Sequence, residues 1–312
     1  MKLLKLIPDT PKIDFTGKRV IAFAFSVLLV LGSLGLFFGK GLNLGIDFLG
    51  GIQIEIQTEG PADISAIRST VGGLDLGDVS IQEFGETDNV LIRIQEQAGG
   101  EESVQAAIEK VKAALGDTVK EYRRTESVGP TVGAELQEAA LWAVVSAVGA
   151  ILIYIWFRFE WQFGVAAVIA LTHDVITTIG LFSLLQLDFN LATIAALLTI
   201  AGYSINDTVV VFDRVRENMR KYKKMELAEL FNLSVNQTLS RTLITSVTTM
   251  LALVALGVFG GEVLRGFSIA LIWGVLIGTY SSIALAVPVL LYMNPDRGEE
   301  EDSETNGAEA QA

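Results

Sequence analysis

The 312-residue chain contains no cysteine, which excludes disulfides, thiolate nucleophiles and thiolate metal sites. Any part outside a membrane must therefore stand on its own apolar core. There is a single histidine, His173, and Gly202-Tyr203-Ser204-Ile205-Asn206 is no firm nucleophile signature, so an intramembrane Ser-His protease is set aside. Neither catalytic nor metal-ligating residues are expected. The chain lacks a P-loop and has no ATP site of that kind; no enzymatic activity and no cofactor are expected. The basic start (Lys2, Lys5, Lys12, Lys18, Arg19) precedes a long apolar run without a small-x-small cleavage site, the pattern of an uncleaved signal anchor. An excess of positive charge is also missing. The formal charge is −13, residues 39–138 carry 18 Asp and Glu against 8 Lys and Arg, and the tail after Pro295 is acidic. Neither region resembles a nucleic-acid surface, and no nucleic-acid partner is expected.

What the chain has in abundance is hydrophobicity, 51% of residues with a mean hydropathy of +0.47. It falls in runs near the roughly 20 residues that cross a bilayer core. Six spans are predicted, at 20–38, 139–157, 163–185, 189–212, 242–259 and 267–292, making a polytopic α-helical membrane protein. Lys and Arg crowd the N-terminal tail and the loop after span four (Arg214, Arg216, Arg220, Lys221, Lys223, Lys224). The positive-inside rule puts both in the cytoplasm. The resulting division is 1–19 as cytoplasmic tail, 20–38 as the first span, 39–137 as the external domain, 138–292 as spans two to six, and 293–312 as an acidic, disordered cytoplasmic tail.

Within 39–137 the pattern changes to that of a soluble domain. Ile52, Ile54 and Ile56 alternate with Gln53, Glu55 and Gln57, a strand with one buried face. A short helix at 62–71 follows, then strands at 79–84 and 90–94 about the turn 85–89. Val104, Ala107, Ile108, Val111, Ala114 and Leu115 fall at helical spacing, and a last strand covers 119–127. The order βαββαβ predicts a ferredoxin-like α+β module. Gly50, Gly51, Gly129 and Pro130 flank it as candidate hinge residues.

Ionisable groups inside a membrane are costly and mark function by default. Asp174 lies mid-span beside His173. Asp207 lies about 7–8 Å inside the boundary, from five residues at 1.5 Å each. Arg241, at the edge of span five, could reach a similar depth by snorkelling. Polar stripes accompany each: Ser204 and Thr208 with Asp207, Thr177 and Thr178 with Asp174, and Thr245, Thr248 and Thr249 with Arg241. The hydroxyls read as interhelical glue. Asp207, which can gain and lose a proton beside a partner, reads as functional. Gly274 and Gly278, followed by Ser281 and Ser282, permit close packing of span six.

Taken in order, residues 45–51 (Gly-Ile-Asp-Phe-Leu-Gly-Gly), 128–133 (Val-Gly-Pro-Thr-Val-Gly), Thr172-His173-Asp174, the stretch from Gly202 to Arg214, and Arg241-Thr242 closely resemble the SecF family. The resemblance implies one six-span half of the bacterial SecDF accessory of the resistance-nodulation-division superfamily, set in the inner membrane with both termini cytoplasmic and the domain periplasmic. It implies a separate SecD partner, the SecYEG translocon, YidC and YajC as further partners, and a translocating polypeptide. It also implies use of the proton-motive force, with Asp207 and Arg241 as proton-coupling residues and Asp174 and Asn206 beside them. A small-molecule or lipid exporter of the same superfamily and a passive scaffold without ion coupling are the alternatives. The first requires a ligand cavity in the external part; the second requires that Asp207 be dispensable.

Overall fold

The computed structural model describes residues 11–296; the expectations for Lys2, Lys5 and nearly all of the acidic tail lie outside them. The chain begins with helix α1 (Arg19–Lys40), strand β1 (Asn43–Leu44) and the single turn α2 (Ile46–Leu49). The external domain follows as β2 (Gly51–Thr58), α3 (Ile64–Gly72), β3 (Val79–Phe84), β4 (Glu86–Ile94), α4 (Glu101–Leu115) and β5 (Val119–Val128). The remainder is α5 (Pro130–Arg158), α6 (Trp161–Leu185), β6 (Asp188–Phe189), α7 (Leu191–Lys221), α8 (Leu227–Phe259), α9 (Gly261–Ser281), a π-helical turn (Ser282–Ala286) and α10 (Val287–Tyr292). Among the described residues, six helical stretches are long and apolar enough to cross a membrane, the sixth running from Leu264 to Tyr292.

The sheet is antiparallel in the order β3-β4-β2-β5. Each βαβ unit is thus split by a strand of the other, with β4 between β2 and β3 and β2 between β4 and β5. One face of the sheet carries α3 and α4. Ile52, Ile54 and Ile56 are fully buried there with Ile67, Val71, Ile108 and Val111, as the alternation of β2 requires. The Asp63 carboxylate caps α3 by accepting from the amide of Ala66 at 2.9 Å, and Glu101 and Glu102 occupy the first turn of α4, where the helix dipole favours them. The predicted turn at 85–89 is tighter than expected. β4 already begins at Glu86, because Gly85 at φ 83° reverses the chain almost alone.

Two boundaries also move. α5 starts at Pro130, nine residues before the predicted span, since proline suits the first helical turn. α8 starts at Leu227 rather than 242. Its early part buries Leu230, Phe231, Val235 and Leu239 against the base of α7, an amphipathic pattern whose buried Ser234, Asn236 and Thr238 hide it from a hydropathy reading. Asn218 of α7 donates to Ser234 at 2.8 Å and Gln237 at 2.9 Å. Asn232 and Asn236 of the same α8 segment bind the backbone of Ile13 and Phe15 at 2.8–2.9 Å.

Several glycine-flank residues make close contacts in this conformation. Gly51 pairs with Val128 inside the sheet at φ 109°, with the Ile94 carbonyl where a side chain would stand. Gly50, at φ 72°, ends α2. Gly133 of α5 packs against the backbone of α2, and the Gln137 amide donates to the Phe48 carbonyl. Asp47 accepts from the amide of Leu191 at 2.9 Å, which adds to the Asn190–Thr193 capping box at the start of α7. β1 and β6 pair in parallel, Asn43 with Asp188 and Leu44 with Phe189. Arg93 on the sheet's open face reaches the same place, with an ion pair to Asp188 and hydrogen bonds to Asn43 at 3.0 Å and Gln53 at 3.2 Å.

Candidate functional site

The membrane helices pack through two apolar clusters. One gathers Phe159, Phe163, Phe212 and Phe231, and the other, on the sheet side, gathers Phe182, Phe189, Leu197 and Leu271. Along α6, α7 and α9 the residues between these clusters are polar and buried: Asp174, Ser204, Asp207, Thr208, Ser281 and Ser282. Glycine explains how they meet. A methyl group at Gly274 would collide with Ile200, and one at Gly278 would stand 3.2 Å from the Ser204 side chain. The Gly-x-x-x-Gly face of α9 therefore lies directly on α7. That approach carries the next two serines into the bundle, and the π-helical turn begins at the second of them, a departure from α-helix that often marks functional positions.

Asp174 is fully buried and collects three side chains. Ser204 donates to Oδ2 at 2.6 Å, Ser281 to the same oxygen at 2.7 Å, and His173 Nδ1 lies 2.9 Å from Oδ1. The carboxylate thus joins α6, α7 and α9 at one point. Thr177 and Thr178, grouped with it by spacing, hydrogen-bond its backbone carbonyl instead. Thr208 pairs with Ser282 at 2.8 Å. Ser204 and Thr208 are interhelical contacts, as the stripe suggested.

Asp207 is 7% exposed. It accepts from Thr242 of α8 at 2.9 Å on Oδ1, while Oδ2 is buried without a hydrogen-bond partner. The expected pairing with Arg241 is not direct. Arg241 is near enough to act on the carboxylate by charge, but no ion pair joins them among the described residues. The reason is helical phase. Arg241 is exposed on α8 and Thr242 is buried, so the residue one step along the helix faces α7. Thr245 and Thr248 share Arg241's exposed side, with their hydroxyls returned to the helix's own carbonyls at 2.9–3.1 Å. They do not support Asp207. Asn206 is also exposed, on the opposite side of α7 from Asp174.

Further groups extend the polar layer. Tyr203 donates to Ser246 at 3.3 Å, and Ser246 pairs with Thr279 at 2.6 Å, linking α7, α8 and α9. The ring of Tyr280 lies tilted beside that of His173, with centroids 6.1 Å apart, and its hydroxyl hydrogen-bonds Ser26 of α1 at 2.9 Å. Nε2 of His173 is buried and unpartnered. Thr242 and Ser246 stand at i and i+4, the spacing that could have singled them out. The arrangement holds two carboxylates among hydroxyl donors in a layer closed by apolar side chains. Such a layer can hold or pass a proton; among the described residues it contains no cluster of metal-ligating side chains.

Comparison with known proteins agrees with this architecture. The family described as "Protein export membrane protein SecD/SecF, C-terminal" matches residues 107–296, and "SecD/SecF GG Motif" matches residues 35–62. The protein translocase subunit SecF of Cereibacter sphaeroides is 49% identical over 303 residues, covering 95% of this chain and 94% of that one. The SecF of Rickettsia akari is 45% identical over 293 residues, covering 92% and 94%. Among solved structures, SecDF of Thermus thermophilus, a translocon-associated membrane protein, superposes with a TM-score of 0.84 at 38% identity, covering 92% of this chain and 39% of that one. SecDF in a super-membrane-facing form superposes at 0.66 with 36% identity, covering 96% and 40%. The chain therefore spans about two-fifths of the solved SecDF chains but almost all of the SecF subunits. With a family model over more than half its length and near half-identity to SecF subunits over almost all of it, the chain belongs to the SecF family of protein translocase subunits.

Proposed function

We propose that this chain is the SecF half of a SecD–SecF pair that uses the proton-motive force to assist polypeptides through the Sec channel from the periplasmic side. Asp207 is the proton-accepting group. The observation that carries this reading is its half-satisfied carboxylate: one oxygen held by Thr242 and the other buried and unpaired, in the charge field of Arg241. A buried carboxylate oxygen without a partner is costly when ionised and inexpensive when protonated, so the site favours cycling between the two states.

Moving one charge across 100 mV is worth about 2.3 kcal/mol, comparable to the few kcal/mol that separate conformers of a switching protein. Asp174 acts as the neighbouring anchor that keeps α6, α7 and α9 in register. The chain performs no enzymatic step and needs no cofactor beyond protons. Its termini lie in the cytoplasm and its sheet domain in the periplasm of an inner membrane, where SecD completes the bundle and SecYEG, YidC and YajC are the neighbouring partners. The chain covers almost the whole of a SecF subunit but 39% of a solved SecDF chain, which supports a separate SecD partner.

The test is export into inverted membrane vesicles with and without a proton gradient, using wild type and Asp207→Asn in the presence of SecD. Loss of the gradient-dependent increment with assembly intact supports the reading. An unchanged increment favours a passive scaffold.

A further inference from the structure

At the end of the bundle away from the sheet, the C-terminal ends of α5 and α7 border an open, shallow cleft of about 450 Å³ lined by six charged side chains: Arg158, Asp213, Arg216, Glu217, Arg220 and Lys221. The five α7 positions recur at three- and four-residue steps and so share one face. The cleft is built rather than incidental. Arg158 is paired with Asp213 at 2.5 Å and lies 4.8 Å from the ring of Phe159, and Arg216 donates to the Arg158 carbonyl at 3.2 Å. Glu217 is engaged with Arg214 at 2.9 Å, outside the cleft. Four cations thus face two carboxylates already committed to arginines, and Arg220 and Lys221 are exposed at the mouth. Beside this charge stands a broad apolar surface: Trp156, Phe157 and Trp161 are 77%, 86% and 62% exposed. Tryptophan at such a level belongs to the headgroup boundary of a bilayer.

We propose that this cleft is a binding site for the phosphate of an anionic phospholipid of the cytoplasmic leaflet. Arg216, Arg220 and Lys221 hold the headgroup, and Trp156, Phe157 and Trp161 lie along its acyl chains. Two features favour a lipid over a free phosphate or an acidic protein segment. The cations lie at helix ends that also carry the exposed Trp156, Phe157 and Trp161, the level where acyl chains meet headgroups, and the cleft is open enough to admit a headgroup that stays in its leaflet. A basic cluster immediately inside the membrane gains additional attraction from anionic headgroups. The leaflet assignment rests on the topology given above; the binding itself does not.

The test uses the full chain purified in detergent and titrated with phosphatidylglycerol, cardiolipin or phosphatidylcholine, with retained lipid read by native mass spectrometry. Wild type should retain the two anionic lipids at least about tenfold better than phosphatidylcholine, a discrimination of about 1.4 kcal/mol. The Arg216→Ala/Arg220→Ala/Lys221→Ala variant should lose that preference. Arg216→Lys/Arg220→Lys, which keeps the charge, should hold most of it and serves as the folding control. Lys120→Ala/Arg123→Ala on the external domain should change nothing. Equal retention by the alanine triple and wild type overturns the proposal, as does displacement of the lipid by millimolar inorganic phosphate, which would mark a free-phosphate site. Labelling of Lys224→Cys in intact spheroplasts tests the topology separately, and reaction from outside overturns the leaflet assignment.

Discussion

Thr242 donates its hydroxyl to Oδ1 of Asp207 across the α7–α8 interface at 2.9 Å, in the place where charge pairing alone would have put Arg241. The carboxylate is therefore held by a neutral donor, with no ion pair to the guanidinium among the described residues. Thr242→Val should lower gradient-driven export by about tenfold or more, in line with the ~1.5–3 kcal/mol of a hydrogen bond to a charged group, and Thr242→Ser should restore it. Both are read in the vesicle assay beside Asp207→Asn.

Because Arg241 acts through its field and not through a fork of hydrogen bonds, its charge should matter more than its shape. Arg241→Lys should keep most of the gradient-dependent export, and Arg241→Met should lose it. A Lys variant as inactive as the Met variant would show that a bidentate contact forms at some stage of the cycle.

The Asp174 junction should be worth more to the bundle than any single hydroxyl on it. Ser204→Ala or Ser281→Ala removes one donor and should lower thermal stability in detergent modestly, by about 1–3 kcal/mol each. The double variant should fall short of the sum or exceed it, since both donors share Oδ2 and residues in one network do not add. Additivity within a few tenths of a kcal/mol would show the two contacts to be independent.

Arg93 fixes the sheet domain to β6, between α6 and α7, through Asp188, and to β1 through Asn43. Arg93→Ala should loosen that seat, seen as faster hydrogen exchange in β1 and β6 without loss of exchange protection at Ile52, Ile54 and Ile56, whose core lies on the other face. Matching loss of protection in both places would mean that the sheet itself had been disrupted.

Tyr122 of β5 is raised above the ordinary tyrosine range, first by burial and then by the nearby charge of Glu109. A raised folded-state pKa adds stability that is fully present below the unfolded value and is lost as pH climbs through the folded one. The external domain should therefore weaken in strongly alkaline solution. Tyr122→Phe should flatten that pH dependence, and ultraviolet difference titration of the two proteins measures the tyrosine directly.

Much of this was legible in the residues, and the reasons are specific. The isoleucine alternation of β2 and the apolar spacing of α4 located the sheet domain, because a half-buried strand and a half-buried helix leave different periods. The carboxylates announced themselves by their cost in a membrane. Phase was the weaker inference. Thr245 and Thr248 sit at good helical spacing from Arg241, yet the whole stripe faces outward, since one helix's spacing does not tell which side its neighbour takes. Thr242 and Ser281 became site residues only when α8 and α9 were placed against α7. The strand pairing of Gly51 with Val128 met the same limit, because it depends on a residue far along the chain.

The contact between Ile13 and Asn236 spans 223 positions. During synthesis the segment ahead of α1 leaves the ribosome long before α8, yet it finds its seat only after α8 has been made. The base of α1 is accordingly fastened by a helix made well after it, and a chain truncated before 232 would lack the asparagines that seat Ile13 and Phe15.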